Sequence, residues 1–240
     1  LWMYSSFYWF SVDKGTKNTE HFLYSRKTDL YMDLLQRNHQ LLLKGINCTF
    51  LRYLHARIEW EDRLIGIFGS RGVGKTTLLL QHIKLKFEDS REALYVNLDD
   101  FWFETHSLTD AVKEFLQAGG HYLFLDEIHF YSGWMEEVST LLDANPALKI
   151  VFATTSLYSQ TEVRNGLRHE AAFYVMHPMS FREFLSYESI LDKDPIPLED
   201  ILANHHDLVK EINAEMNIVP IYRNYLEHGC YPFYWQDPDM

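Results

Sequence analysis

Short apolar runs recur along the middle of the chain, each followed by a stretch with helical spacing. Residues 64–68, 93–97, 121–125, 148–152 and 172–176 are apolar nearly throughout, the pattern of strands buried on both faces. Residues 75–87 and 133–143 between them read as helices, the second stopping at Asn145-Pro146. Leu108, Ala111, Val112, Phe115 and Leu116 keep the spacing of one helix face, with Ser107 as N-cap and Gly119-Gly120 as stop. Ser180-Phe181-Arg182-Glu183 forms a capping box that opens another helix. Upstream, residues 33–57 predict two helices broken at Gly45. Residues 188–200 are acidic with Pro195 and Pro197 and read as a linker; residues 199–228 look helical again, interrupted near Pro220. Strands alternating with helices predict an α/β fold in three layers, a parallel sheet with both faces covered.

The chain has 240 residues and is 47% hydrophobic, enough for one sizeable core with a small appendage. Its net charge of −12 disfavours DNA as a partner without excluding a local basic patch, because phosphate contacts need clustered Lys and Arg. Cys48 and Cys230 make neither a disulfide framework nor a zinc pattern, so a reducing, cytoplasmic setting is the expectation. The histidines lack metal-ligand spacing and read as surface or core residues. No run of 18 apolar residues predicts a spanning helix, so no membrane partner is expected. The aromatic start, residues 1–10, lacks a basic region and a cleavage site, and is not read as a signal peptide.

Candidate chemistry changes the picture at Gly69-Ser70-Arg71-Gly72-Val73-Gly74-Lys75-Thr76. This octet fits G-x-x-x-x-G-K-[ST], and it stands between a predicted strand and a predicted helix, as a phosphate loop must. Its glycines let backbone N–H groups curl around an anion, and the helix N-terminus adds positive partial charge. Gly69 to Thr77 are therefore the candidate nucleotide-binding residues, with Lys75 reaching the β- and γ-phosphates and Thr76 holding Mg²⁺. A second pattern, Tyr122-Leu123-Phe124-Leu125-Asp126-Glu127, delivers two carboxylates at the end of a strand. Asp126 is the expected Mg²⁺ ligand and Glu127 the general base for an attacking water. The hydroxyls of Thr155 and Ser156, at the end of the next strand, are candidate sensors of the γ-phosphate. Arg164 and Arg168 follow, and Arg168 is the candidate catalytic arginine, acting in cis or from a partner. Asp99 and Asp100 are expected to cap Phe101-Trp102-Phe103. The absence of a guanine-reading Asn-Lys-x-Asp run makes ATP the expected nucleotide. A small-molecule kinase would need an arginine-rich lid, and no such cluster is visible.

Three segments together, residues 67–81, 125–129 and 179–185, resemble the AAA_14 family of prokaryotic AAA-type P-loop ATPases. The resemblance covers roughly residues 33–190. It implies an ATP- and Mg²⁺-dependent domain with sheet order 5-1-4-3-2, followed by a winged-helix-like segment and often by a domain labelled DUF4143. On that pattern residues 1–31 are an N-terminal extension, a candidate for a non-native or disordered segment; 32–187 are the ATPase domain; and 188–240 are a linker and the start of the C-terminal region, shorter than in the family. The family's roles are poorly defined, so the resemblance leaves any protein partner unidentified. Two departures stand out. The family's Thr-Gly-Ser-Ser is here Ala153-Thr154-Thr155-Ser156, and its Arg pair is here His169-Glu170. The second departure points to slow hydrolysis, or to a nucleotide-gated switch that acts through a protein or DNA partner.

Overall fold

The computed structural model describes residues 17–87, 91–155, 160–191 and 193–235. Five parallel strands form one sheet: β1 (Leu64–Phe68), β2 (Ala93–Asn97), β3 (Tyr122–Asp126), β4 (Lys149–Thr154) and β5 (Ala172–Val175), in the order β2-β3-β4-β1-β5. This is the expected 5-1-4-3-2 order. β4 lies between the strands that carry the two motifs, with Ile65 opposite Val151 and Leu123 opposite Ile150.

Alternate strand residues feed two separate cores. Leu64, Leu94, Val96, Leu123, Leu125, Ile150 and Phe152 face α3 (Leu108–Gln117), α4 (Trp134–Ala144) and α5 (Gln160–Gly166). Ile65, Ile67, Tyr95, Phe124, Val151 and Ala153 face α2 (Lys75–Phe87). Burial on both faces requires apolar residues at every position, which is why β1 is buried along its whole length. β5, at the sheet edge, is only half buried.

The long helix α1 (Lys17–Gly45) departs from expectation. It begins well before residue 33 and runs through the anticipated boundary at 31/32. Tyr31, Met32 and Leu35 join the first core while Leu43 joins the second, so α1 wraps past the β2 edge. Tyr31 stacks on Trp102 at 3.9 Å, which ties this part of α1 to the turn after β2; residues 1–16 of the expected extension lie outside the described residues. On the outer side of β2, the Tyr95 backbone N–H donates to Nδ1 of His39, 3.1 Å away. The second expected helix, up to residue 57, shrinks to a 3-10 turn at Tyr53–Arg57, because Arg52 is extended (φ −64°, ψ 143°) to reach distant partners.

The caps are as expected. Ser107 accepts from the Asp110 N–H at 3.0 Å, and Asp100 accepts from the Trp102 N–H at 2.9 Å. Ser180 and Glu183 form the complete capping box of α6 (Phe181–Tyr187). Beyond it lie α7 (Leu198–Glu215) and α8 (Ile218–Asn224). The break falls at Met216-Asn217, before Pro220, which sits in the first turn of α8 where no intrahelical donor is needed. The chain then returns to α6: Tyr225 Oη donates to Met179 O at 2.8 Å, and the Met179 N–H donates to Cys230 O at 2.8 Å. The described residues of 193–235 include no strand, so the wing expected from the resemblance is not among them. Among the described residues no helix is long and apolar enough to cross a membrane.

Candidate functional site

All strands point the same way, so β1, β3 and β4 deliver their C-terminal residues to one edge. After Phe68 the chain turns through residues 69–74 into α2. The Gly69 N–H donates to Thr154 O at 3.2 Å, which fastens the loop's first residue to β4. Gly72 (φ +83°) and Gly74 (φ +99°) occupy conformations that an L side chain rarely adopts. A Cβ on Gly72 would also meet the Phe233 ring at 2.3 Å, so the C-terminal aromatic segment lies on the loop.

Lys75 opens α2 and is 4% exposed, with Nζ donating to Gly69 O at 2.8 Å and Ser70 O at 3.0 Å. Burial pulls its pKa below the ordinary lysine value, opposed by the charges of Glu127 and then Asp126. Thr76 Oγ1 donates to Asp126 Oδ2 at 2.5 Å, joining motifs fifty positions apart. Asp126 is 1% exposed. Its Oδ2 also accepts from Tyr95 Oη at 2.9 Å, and its Oδ1 from the Glu127 N–H at 3.0 Å. Burial first, then the Asp126 charge, raises the Tyr95 phenol, which therefore stays a donor.

Glu127 is left-handed (φ 50°, ψ 38°), an uncommon conformation for a non-glycine residue. It turns the chain out of β3 into a 3-10 turn at Ile128–Phe130. The hydroxyls of Thr154 and Thr155 are buried without hydrogen-bond partners, which suits residues awaiting a ligand oxygen or water. Ser156, the other candidate sensor, lies outside the described residues.

Behind the loop is a cavity of about 270 Å³, lined by residues that include Asn47, Phe50, Thr77, Gln81, Tyr187 and Pro232. Gln81 Nε2 donates to Asn47 O at 2.7 Å and Phe50 O at 2.9 Å, holding the pre-β1 segment against α2. One buried side chain ties this region together. Arg52 donates from Nη1 to Val73 O (2.6 Å), from Nη2 to His177 O (2.7 Å), and from Nε to Glu183 Oε1 (2.8 Å). Burial would raise the Glu183 carboxyl, but Arg52 and the N–H groups of Ser180 and Tyr53 outweigh it, so its pKa is lowered.

The structure brings Lys75, Thr76, Asp126, Glu127 and Thr155 to one edge. It does not bring Arg168 there. Arg168 precedes β5 and pairs with Asp143 Oδ2 at 2.9 Å and Thr140 Oγ1 at 3.2 Å, at the opposite edge of the sheet. As a catalytic arginine in cis it is therefore corrected. Arg164 stacks its guanidinium over Phe173, 5.3 Å from the ring centroid. Arg71 is exposed at the loop's tip. Sequence reasoning missed Tyr95 and Arg52; each lies in an apolar run with no local pattern to mark it.

A parallel sheet with a phosphate loop after β1 and paired carboxylates after β3 defines a P-loop nucleotide-binding domain of the AAA type. The chain belongs to the AAA_14 family, an AAA domain, which matches residues 61–185. No curated protein matches it. Among solved structures it is similar to C. elegans PCH-2, at 14% identity and a TM-score of 0.33 over 72% of this chain and 50% of that one. It is also similar to AMPPCP-bound DnaA from Aquifex aeolicus, at 19% identity and a TM-score of 0.37 over 62% of this chain and 53% of that one. The chain spans about half the length of each.

Proposed function

We propose that this chain binds ATP with Mg²⁺ and hydrolyses it, and that its nucleotide state moves residues 188–240 relative to a unit formed by α1 through Tyr187. The Thr76–Asp126 contact carries the reading, because it unites the loop's hydroxyl with the strand-end carboxylate. The donor set fits Mg²⁺: hard oxygens from one carboxylate and one hydroxyl, with phosphate oxygens and water left to complete the shell. Thr76 and Asp126 would hold the ion, which when bound supplies positive charge to the β- and γ-phosphates. Lys75 and the loop N–H groups bind the same phosphates. The cavity beside Thr77 and Gln81 suits the nucleobase. Glu127 takes a proton from the water that attacks the γ-phosphorus, and Thr155 orients that water or the γ-phosphate. The Arg52 link from Val73 O to Glu183 supports coupling between the loop and α6.

The test is Mg²⁺-dependent phosphate release from ATP by wild type and Glu127→Gln, with ATP binding measured for both. Turnover by wild type alone, with binding by both, supports the reading. Binding by both without turnover favours a second reading, a nucleotide-gated switch. The pairing of Arg168 with Asp143 supports that alternative, since the arginine for rapid hydrolysis would then come from a partner. Failure of wild type to bind ATP would sink both.

A further inference from the structure

Two buried polar atoms beside the proposed base are unpartnered: Oε2 of Glu127 and Nδ1 of His129. They face each other at 3.4 Å, just outside hydrogen-bond geometry. The His129 side chain is 7% exposed and that of Glu127 is 24% exposed. Two such atoms held close without a full hydrogen bond are unfavourable, so the arrangement calls for a reason. The backbone supplies the geometry. Glu127 is left-handed, and the Phe130 N–H closes the following 3-10 turn onto Glu127 O at 3.0 Å, which folds the imidazole back over the carboxylate. The Glu127 charge is also felt by Lys75, whose pKa it holds up against burial.

We infer that His129 is a positioning residue for Glu127, donating its Nδ1–H to Oε2 and aiming the other carboxylate oxygen at the attacking water. The inference rests on the ATPase reading above. Contacts of this kind are often long without substrate and close in the catalytic complex. Shortening by a few tenths of an ångström satisfies both atoms and fixes one Glu127 rotamer. His129 does not touch the nucleotide in this role; it governs where the base points.

The experiment compares steady-state ATP turnover and ATP binding in wild type, His129→Ala, His129→Asn and His129→Gln. Asparagine places its amide nitrogen where Nδ1 was, whereas glutamine places it farther out. The expected result is a kcat lowered by about ten- to a hundredfold in His129→Ala, from misplacement of the base. KM and ATP affinity stay within about twofold, His129→Asn restores most of the loss, and His129→Gln does not. Equal rates in wild type and His129→Ala overturn the inference, as do Asn and Gln variants as slow as Ala. A wild type without turnover overturns the ATPase reading instead. The pairing is then read by ¹⁵N resonances of the histidine rings, with His129 assigned by its loss in His129→Asn. Glu127→Gln should shift the His129 nitrogens, and unmoved resonances refute the contact.

Discussion

Replacing Arg52 by Met keeps the unbranched stem of the side chain, ends it short of the guanidinium and removes every donor. Arg52 is 8% exposed, and Glu183 beneath it is 5% exposed. The variant leaves a buried carboxylate without its counter-charge, and leaves Val73 O and His177 O without the donors now 2.6 and 2.7 Å away. Removing one partner of a buried ion pair costs about 3–5 kcal/mol. The lower part of that range is expected, because Glu183 keeps three donors: the Tyr53 N–H at 3.0 Å, the Ser180 N–H at 2.9 Å and Ser180 Oγ at 3.1 Å. In a chain of this size the loss corresponds to a fall of about 6–20 °C in Tm. Urea unfolding of wild type, Arg52→Met, Glu183→Gln and the double variant measures it. The double variant should be less destabilised than the sum of the singles, with a coupling of about 2–3 kcal/mol. A loss below about 1 kcal/mol in Arg52→Met, or singles that simply add, refutes the pairing. A stable Arg52→Met protein with unchanged ATP affinity would refute the further idea that this side chain shapes the loop through Val73.

Burial lowers His39 to about 4 and His82 to about 3, from 6.5. Folded values below the unfolded one mean that the unfolded chain takes up protons first as pH falls below 6.5. Stability is therefore full above that pH and lost toward pH 4 and 3, by about 2 kcal/mol per histidine at pH 5. Equal urea midpoints at pH 7 and pH 5 would contradict this. Gly72→Ala puts a Cβ at φ +83° and against Phe233; a loss of about 1–3 kcal/mol and weaker ATP binding are expected, read by thermal unfolding and a nucleotide titration. Tyr95→Phe removes the 2.9 Å donor to Asp126, at a cost of about 1.5–3 kcal/mol in urea unfolding; an unaltered midpoint would show that the phenol is not holding the carboxylate.

The parts legible in the sequence share a local cause. Strands β1 to β4 show as unbroken apolar runs because both faces of the sheet are covered, and the loop, the caps and the Asp126-Glu127 pair are contiguous patterns. What was missed depends on distance along the chain. Arg52 bonds Glu183 across 131 positions and His177 across 125, and nothing near it in Phe50-Leu51-Arg52-Tyr53 announces either partner. Tyr95 reads as one more apolar strand residue until its hydroxyl meets Asp126. The helix expected from residue 33 starts earlier for the same reason: Tyr31 packs on Trp102, 71 positions away. Arg168 fails in the opposite direction. Proximity in sequence to β4 suggested the ligand edge, whereas the chain had already crossed to the far side of the sheet through α5.

The imidazole of His39 over the outer flank of β2 bears on how copies of this protein meet one another. An uncovered edge strand offers its backbone as a template for strand addition and aggregation. Here α1 shields that flank, and the outward N–H of Tyr95 is already satisfied by His39 Nδ1. Protonation, which burial defers to about pH 4, removes the ring's acceptor lone pair and turns Nδ1 into a competing donor, so it would weaken the seal of α1 on this edge. Preparations kept near neutral pH hold this edge closed. Preparations taken down to about pH 4 would lose that seal, and their aggregation is expected to begin at β2 and not at the nucleotide site.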